Sequence, residues 1–299
     1  MKVGFVGTGV MGSRMVKRFL EEGYPVTVYN RTPEKLIPLL EAGAAKADSL
    51  QDVAANSDVI CTCLSMPGDT LNVYLGREGI LQSAEEGTIL IDFTTVDAET
   101  SKTVFLAAAQ RGVHFLDAPV SGGPEGVEQG TLTIMVGGEE EVFAKVRPLL
   151  ETIGTTIEYL GPSGSGSIAK LINQYLVAVH TVAASEAMVC GAALGLDSEQ
   201  LYKLLKVSYG SSRMLERHME QYVFNRRFEP GGAVKYVHKD VKLANKMFAA
   251  AGLNEVLGQF AQNSFASAME KGYAELDMSA VIKPLEEICG VTVKKGRME

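Results

Sequence analysis

Histidine and cysteine are scarce, four of each in 299 residues, and neither is spaced for metal or redox chemistry. Cys61 and Cys63 alternate along one apolar run, while Cys190 and Cys289 stand alone. No C-x-x-C pair occurs, which excludes the common zinc and dithiol motifs, and all four are expected to be buried thiols. His114, His180, His218 and His238 include no pair four residues apart, the spacing that turns two imidazoles toward one metal. No metal site is expected, and these histidines read as structural or surface residues. Basic clusters are missing too. Beyond the tail "VKKGRME" (293–299) no run of Lys and Arg exists, and the formal net charge is −8. That excludes the electrostatic footprint of a nucleic-acid binder and leaves a small molecule as the expected partner. The start, "MKVGFVG", has no basic segment followed by an apolar one, so a cytoplasmic protein is expected. Repeats and low-complexity tracts are absent. "LINQYLVAVHTVAASEAMVCGAALGL" (171–196) has the ~20-residue length of a membrane span, but Asn173, Gln174, His180 and Glu186 interrupt it. A helix apolar on most faces with a few polar positions reads instead as the buried spine of a domain or a subunit interface. No membrane partner is expected; a homodimer or homotetramer is.

Glycine, by contrast, is plentiful, and four of the 31 stand in "GFVGTGVMGSRM" (4–15), three of them after the apolar run that opens it. The G-x-G-x-x-G spacing of Gly7, Gly9 and Gly12 carries little weight alone, because glycine fills any strained turn. Its context is what counts. An apolar run, Val3 to Val6, precedes it, the helix-compatible "SRMVKRFLEEG" follows, and a second strand-like run, "PVTVYN" (25–30), comes within about 30 residues, the layout of a dinucleotide fingerprint. Gly7 would allow the tight turn, Gly9 the approach of a pyrophosphate and Gly12 the packing of helix on strand. The helix N-terminus, from Thr8 through Val10 and Met11, would offer its N–H groups to the phosphates.

Further short apolar runs alternate with helical stretches: "DVICTCLS" (58–65), "TILIDF" (88–93), "VHFLDAPV" (113–120), "TLTIMVGG" (131–138) and "TIEYLG" (156–161). Such alternation predicts an α/β fold, a Rossmann-type doubly wound parallel sheet. The pattern stops at the Gly/Ser/Pro cluster "GPSGSGS" (161–167), and only helical periodicity follows. The expected division is therefore an NADP-binding domain over 1–162 and an all-α substrate and oligomerisation domain over 163–299, built on one long helix. That helix is expected from about Ser163 to Leu194. Shorter ones are expected around Ser198 to Val207, Ser211 to Asn225, Val234 to Gly252, Asn254 to Gly272 and Ala280 to Cys289.

An NAD site places an acid at the end of the second strand to bind the ribose 2′-hydroxyl. Here the sequence reads Asn30-Arg31-Thr32. Arg31 supplies a guanidinium for a 2′-phosphate, Thr32 adds a hydroxyl, and no carboxylate is present to repel that phosphate, so NADP(H) is the expected cofactor in preference to NAD(H).

Four stretches in order and spacing resemble the β-hydroxyacid dehydrogenases, the family of 3-hydroxyisobutyrate dehydrogenase, tartronate semialdehyde reductase and the glyoxylate/succinic semialdehyde reductases. They are "GFVGTGVMG", "DAPVSGGPEGVEQGTLTIMVGG" (117–138), "GSGSIAKLINQ" (164–174) and "KDVKLA" (239–244). The resemblance implies that Lys170 is the acid/base residue and that Ser121, Gly122 and Gly123 hold a substrate carboxylate. It also implies that Leu64, Ser65, Met66 and Thr95 lie beside the cofactor, and that Lys239, followed by Asp240, closes over the nicotinamide end. Asn173 and Gln174 lie three and four residues beyond Lys170, on its helix face, where they can position the same ligand. Two positions depart from the family: Gln174 stands where many members have Asn, and Gly232 replaces a common aromatic, which points to a wider pocket. The implied reaction is hydride transfer between a nicotinamide and the carbonyl of a small acid, with Lys170 moving the proton. An imine reductase and a catalytically idle NADPH-binding protein on the same scaffold are the alternatives, and both generally lack the lysine.

Overall fold

The computed structural model describes residues 1–295; the last four residues of the basic tail lie outside them. The chain divides into two compact units, Met1–Leu171 and the residues from Ile172 onward.

The first unit runs β1 (Val3–Val6), α1 (Val10–Glu21), β2 (Val26–Tyr29), α2 (Ile37–Glu41), β3 (Ala45–Lys46), α3 (Leu50–Ala55), β4 (Val59–Thr62) and α4 (Pro67–Leu75). It continues with β5 (Ile89–Asp92), α5 (Ala98–Ala109), β6 (His114–Asp117), β7 (Val120–Ser121), α6 (Gly123–Glu128), β8 (Leu132–Val136), α7 (Glu140–Leu150) and β9 (Gly154–Tyr159). Six strands form one sheet in the order β3-β2-β1-β4-β5-β6, with every pair parallel. This is the doubly wound order whose direction of progression reverses between β1 and β4, leaving a crevice at the carboxyl ends of those strands. The central strands VGFV, VICT and ILID are buried at every position, as strands covered by helices on both faces must be. Phe5, Met15, Phe19, Val28 and Ile91 fill one face. Val6, Ile60, Tyr74, Leu90 and Phe115 fill the other.

Two of the anticipated strands leave this sheet. β7, β8 and β9 form a second, three-stranded sheet in which β7 and β8 are antiparallel. Only residues 122–131 separate β7 from β8, fewer than the dozen or so that a parallel return requires. The two sheets meet where Asp117 and Gly137 exchange backbone hydrogen bonds of 3.0 and 2.8 Å.

The long helix α8 (Ser165–Ala193) begins in the first unit and continues into the second, which adds α9 (Ser198–Lys206), α10 (Arg213–Arg217), α11 (Val234–Ala250), α12 (Leu257–Glu270) and α13 (Ile282–Cys289). These match the helices expected from periodicity with one interruption. The stretch anticipated as one helix from Ser211 to Asn225 passes after α10 into a π-helical turn, His218–Val223. Here His218 is buried against Thr181 of α8, 2.9 Å away. Met188, Met219, Val237, Val241 and Phe265 form the core of this unit.

The cysteines depart from expectation. Cys61 is buried and Cys63 half-buried, but Cys190 and Cys289 are exposed, because they lie on the outward faces of α8 and α13, where apolar composition does not guarantee cover.

Candidate functional site

The glycine turn after β1 has a separate physical reason for each glycine. Gly7 has φ 94°, and a Cβ there would stand 2.4 Å from the Cys63 carbonyl oxygen. One on Gly12 would stand 2.2 Å from the Gly7 carbonyl oxygen and 2.8 Å from the Phe5 ring. At Gly9 a Cβ would meet nothing within 4 Å. Gly7 and Gly12 thus satisfy the fold, and Gly9 keeps backbone open to a ligand. No side chain caps α1 and its first turn holds no acid, so the N–H groups and positive end of the helix remain available to an anion. These features fit a dinucleotide pyrophosphate.

Asn30 closes the end of β2 by donating from Nδ2 to the buried Thr8 hydroxyl, 2.9 Å away. Arg31 and Thr32 follow, both exposed. Thr32 leads into a 3₁₀ turn, Pro33–Leu36, without capping it through its side chain, so its hydroxyl is not spent on local structure. On the other side of the switch point the loop after β4 exposes Ser65 and Met66, and the loop after β5 carries the half-buried Thr95. The Leu64 N–H donates to Thr94 Oγ1 at 2.9 Å and joins these loops.

Ser121 ends β7, and Gly122 (φ 135°) and Gly123 (φ 68°) turn the chain into α6 through conformations that a side chain disfavours. Lys170 stands on α8, one turn beyond Gly166, and is only 7% exposed. Its placement is fixed by Asp117, at the end of β6. One carboxylate oxygen of Asp117 accepts the Gly164 N–H at 2.7 Å and the Ser163 hydroxyl at 3.3 Å; the other accepts the Ser167 N–H at 2.9 Å. The hydroxyls of Ser167 and Ser101 add a contact of 2.9 Å. A Cβ on Gly166 would lie 2.2 Å from the Met135 carbonyl oxygen, so the G-x-G part of the motif lets the helix start sit directly on the strands. Burial pushes the Asp117 carboxyl above its ordinary value, although the N–H donors oppose the shift. Asp117 opens the stretch "DAPVSGGPEGVEQGTLTIMVGG" (117–138), where the sequence alone assigns it no role. Its signal was an acid at the carboxyl end of a buried strand.

The second unit assembles a different polar chain. Asn173 Nδ2 donates to Gln174 Oε1 at 3.0 Å, and Gln174 Nε2 donates to Asp240 Oδ2 at 2.5 Å. Lys239 Nζ lies 3.0 Å from Asp240 Oδ1. Gln174 and Asp240 are buried, so the extra methylene of Gln, compared with Asn, serves to tie α8 to α11. Nearby in sequence, the Gly231 and Gly232 N–H groups donate to Asp277 Oδ2 at 3.2 and 3.1 Å, and Arg217 grips the same carboxylate through two bonds of 3.0 and 2.8 Å. Burial alone would raise the Asp277 carboxyl, but the Arg217 guanidinium and the hydrogen bonds from Ser279 together hold it below its ordinary value. The room expected beside Gly232 is taken: a Cβ there would lie 2.6 Å from Met278 Cε.

The glycine turn, Arg31, the two loops, Ser121 to Gly123 and Lys170 therefore all belong to the first unit. Asn173, Gln174, Lys239 and Asp240 are gathered in the second.

Residues 2–161 match the family described as the NAD binding domain of 6-phosphogluconate dehydrogenase. Residues 164–285 match the one described as NAD-binding of NADP-dependent 3-hydroxyisobutyrate dehydrogenase. The chain is 35% identical over 297 residues to 2-(hydroxymethyl)glutarate dehydrogenase of Eubacterium barkeri, covering 99% of each chain. It is 34% identical over 288 residues to NAD-dependent L-serine dehydrogenase of Pseudomonas aeruginosa, covering 94% of this chain and 97% of that one. The crystal structure of 3-hydroxyisobutyrate dehydrogenase from Salmonella typhimurium is similar with a TM-score of 0.87 at 30% identity, covering 95% of this chain and 99% of that one. Psf3 in complex with NADP+ and 2-OPP gives 0.87 at 27%, with 95% and 99% covered. The imine reductase from Myxococcus stipitatus shares the fold alone, with a TM-score of 0.63 at 20% identity over 95% of this chain and all of that one.

Proposed function

The chain belongs to the hydroxyacid dehydrogenase family of 3-hydroxyisobutyrate dehydrogenase, and from that membership we propose that it interconverts a small 3-hydroxy acid and its semialdehyde, with NADP(H) preferred and Lys170 moving the proton. The buried Lys170, on a helix start anchored by Asp117, carries this reading. An amine removed from water at a fixed point is suited to proton transfer, whereas a lysine kept for solubility stays in solvent.

When bound, the dinucleotide supplies or accepts the hydride. The chain's own residues bind, orient and move a proton. In reduction Lys170 Nζ donates to the oxygen of the forming alcohol; in oxidation it begins neutral and accepts the hydroxyl proton. The Ser121 hydroxyl and the Gly122 and Gly123 N–H groups receive the carboxylate. Arg31 and Thr32 bind the 2′-phosphate.

The substrates in the relatives' names support one acid class. 3-Hydroxyisobutyrate, L-serine and 2-(hydroxymethyl)glutarate are all 3-hydroxypropanoates that differ only in the group on C2. The test is an initial-rate panel of 3-hydroxypropanoates bearing hydrogen, methyl, amino or carboxyethyl at C2, with NADP+ and NAD+, beside glyoxylate, succinic semialdehyde and cyclic imines in the reductive direction. Saturable oxidation of a 3-hydroxy acid, with kcat/KM at least about tenfold higher for NADP+, is expected from the Arg31 phosphate contact. Reduction of imines without turnover of any hydroxy acid would overturn the reading.

Ile168, Ile172 and Leu176 repeat every four residues on α8 and are exposed. This apolar stripe supports assembly with a second copy of the chain. Light scattering should give a multiple of the 32.0 kDa chain mass; a monomer at working concentration would contradict it.

A further inference from the structure

We infer that Asp92 is a positioning residue for the dinucleotide: its buried carboxylate locks the loop after β4 to the loop after β5, and the lock is tightest when the carboxylate is ionised. The inference rests on the dinucleotide binding that family membership gives, and not on the substrate or on Lys170.

The register of β4 and β5 ends with the pair Thr62 and Asp92. Beyond it the Phe93 N–H still reaches the Thr62 carbonyl at 2.8 Å, and then the backbone ladder stops and the chains part at the carboxyl edge, where a doubly wound sheet binds its ligand. Side chains take over. Asp92 Oδ1 accepts the Thr62 hydroxyl at 2.7 Å and the Thr94 N–H at 2.9 Å. Thr94 Oγ1 in turn accepts the Leu64 N–H at 2.9 Å. From behind, the hydroxyl of Tyr74 on α4 lies 2.7 Å from that of Thr62. Three bonds thus hold Leu64, and with it the exposed Ser65 and Met66, at a fixed distance from Thr94 and Thr95.

The lock is made with an incompletely satisfied charge. Asp92 is 1% exposed, and its Oδ2 is buried with no hydrogen-bond partner among the described residues. Burial, with Asp117 paired beside it on β6, pushes the carboxyl up to about 6 against the hydrogen bonds from Thr94 and Thr62. Other titratable groups facing this cluster are Tyr74 on α4 and Cys61 on β4, and burial keeps both neutral by pushing them well above their ordinary values. The charge of Asp117 adds to that upward shift of Asp92. A proton on Asp92 turns two charge-assisted bonds into neutral ones of about half the strength, and the loops loosen.

Fluorescence titration with NADH from pH 5 to pH 8 tests this, since NADH has no 2′-phosphate to titrate in that range. Wild-type affinity should tighten about three- to tenfold with a midpoint near pH 6 as the neutral bonds become charge-assisted. Asp92→Asn, which keeps the shape and one acceptor but cannot ionise, should bind with no midpoint. Thr94→Val removes the acceptor of the Leu64 N–H, together with the Thr94 hydroxyl beside Asp92, and should weaken NADH about fivefold at pH 8, with the thermal midpoint little changed. A midpoint that persists in Asp92→Asn, or a Thr94→Val protein with wild-type affinity, would overturn the inference.

Discussion

Asp117 and Asp92 are register partners at the ends of β6 and β5, both sealed from water, yet the chain treats them differently. Asp117 spends both oxygens on three donors from the start of α8. Asp92 has two donors on one oxygen and, among the described residues, none on the other. A buried carboxylate is expensive unless donors meet it, so the first is an anchor whose bonds hold a helix in place. Burial pushes both carboxyls above their ordinary value, the second up to about 6. The difference teaches that burial alone does not define a role; the number of donors does.

Replacing the saturated carboxylate should have the largest effect. Asp117→Ala leaves the Gly164 and Ser167 N–H groups without their acceptor, a loss of about 3–5 kcal/mol. Displacement of the helix start should lower kcat about a hundredfold. Urea unfolding and stopped-flow turnover measure the two, and a wild-type kcat in this variant would separate Lys170 from its anchor.

A charge that stays in water sharpens the contrast from the other side. Arg31 is exposed, so Arg31→Ala should leave stability unchanged and act on the cofactor alone. Loss of a charge-assisted phosphate contact, about 1.5–3 kcal/mol, weakens NADPH about ten- to a hundredfold and spares NADH. Fluorescence titration with both nucleotides checks it; equal losses for the two would assign Arg31 elsewhere.

The half-satisfied carboxylate should reveal itself through pH. Its value in the folded protein is about 6, above the ordinary 3.8, so the unfolded chain releases this proton first and stability falls as pH rises between those values. Between pH 4.5 and 7.5 the wild type should lose about 2 kcal/mol relative to Asp92→Asn. Parallel pH dependences of the two proteins in urea unfolding would show that Asp92 does not titrate in that range.

Local pattern made much of this legible. Gly7, Gly9 and Gly12 each have the constraint, or the openness, that their spacing implied, and the helices of the second unit lie close to where apolar periodicity placed them. What escaped was decided by partners distant in sequence. An aspartate closing a strand looks the same whether it faces water or, like Asp117, meets N–H groups 47 and 50 residues away. Gln174 and Asp240 are 66 residues apart, and nothing in either stretch announces their bond. The second sheet was missed because its strands have ordinary composition, and only the shortness of the β7–β8 connection forces the reversal. Cys190 and Cys289 were misplaced because apolar composition does not say which face of a helix is covered.

Lys170→Arg separates proton transfer from simple binding at Lys170. Arginine binds a carboxylate at least as well as lysine, but it does not give up its proton near neutral pH. If Lys170 is the acid/base residue, kcat in stopped-flow turnover should fall about 10²–10⁴-fold in both Lys170→Arg and Lys170→Ala, with NADPH affinity nearly unchanged. A Lys170→Arg enzyme within about tenfold of wild-type kcat would contradict proton transfer by Lys170 and leave it as a residue that only binds.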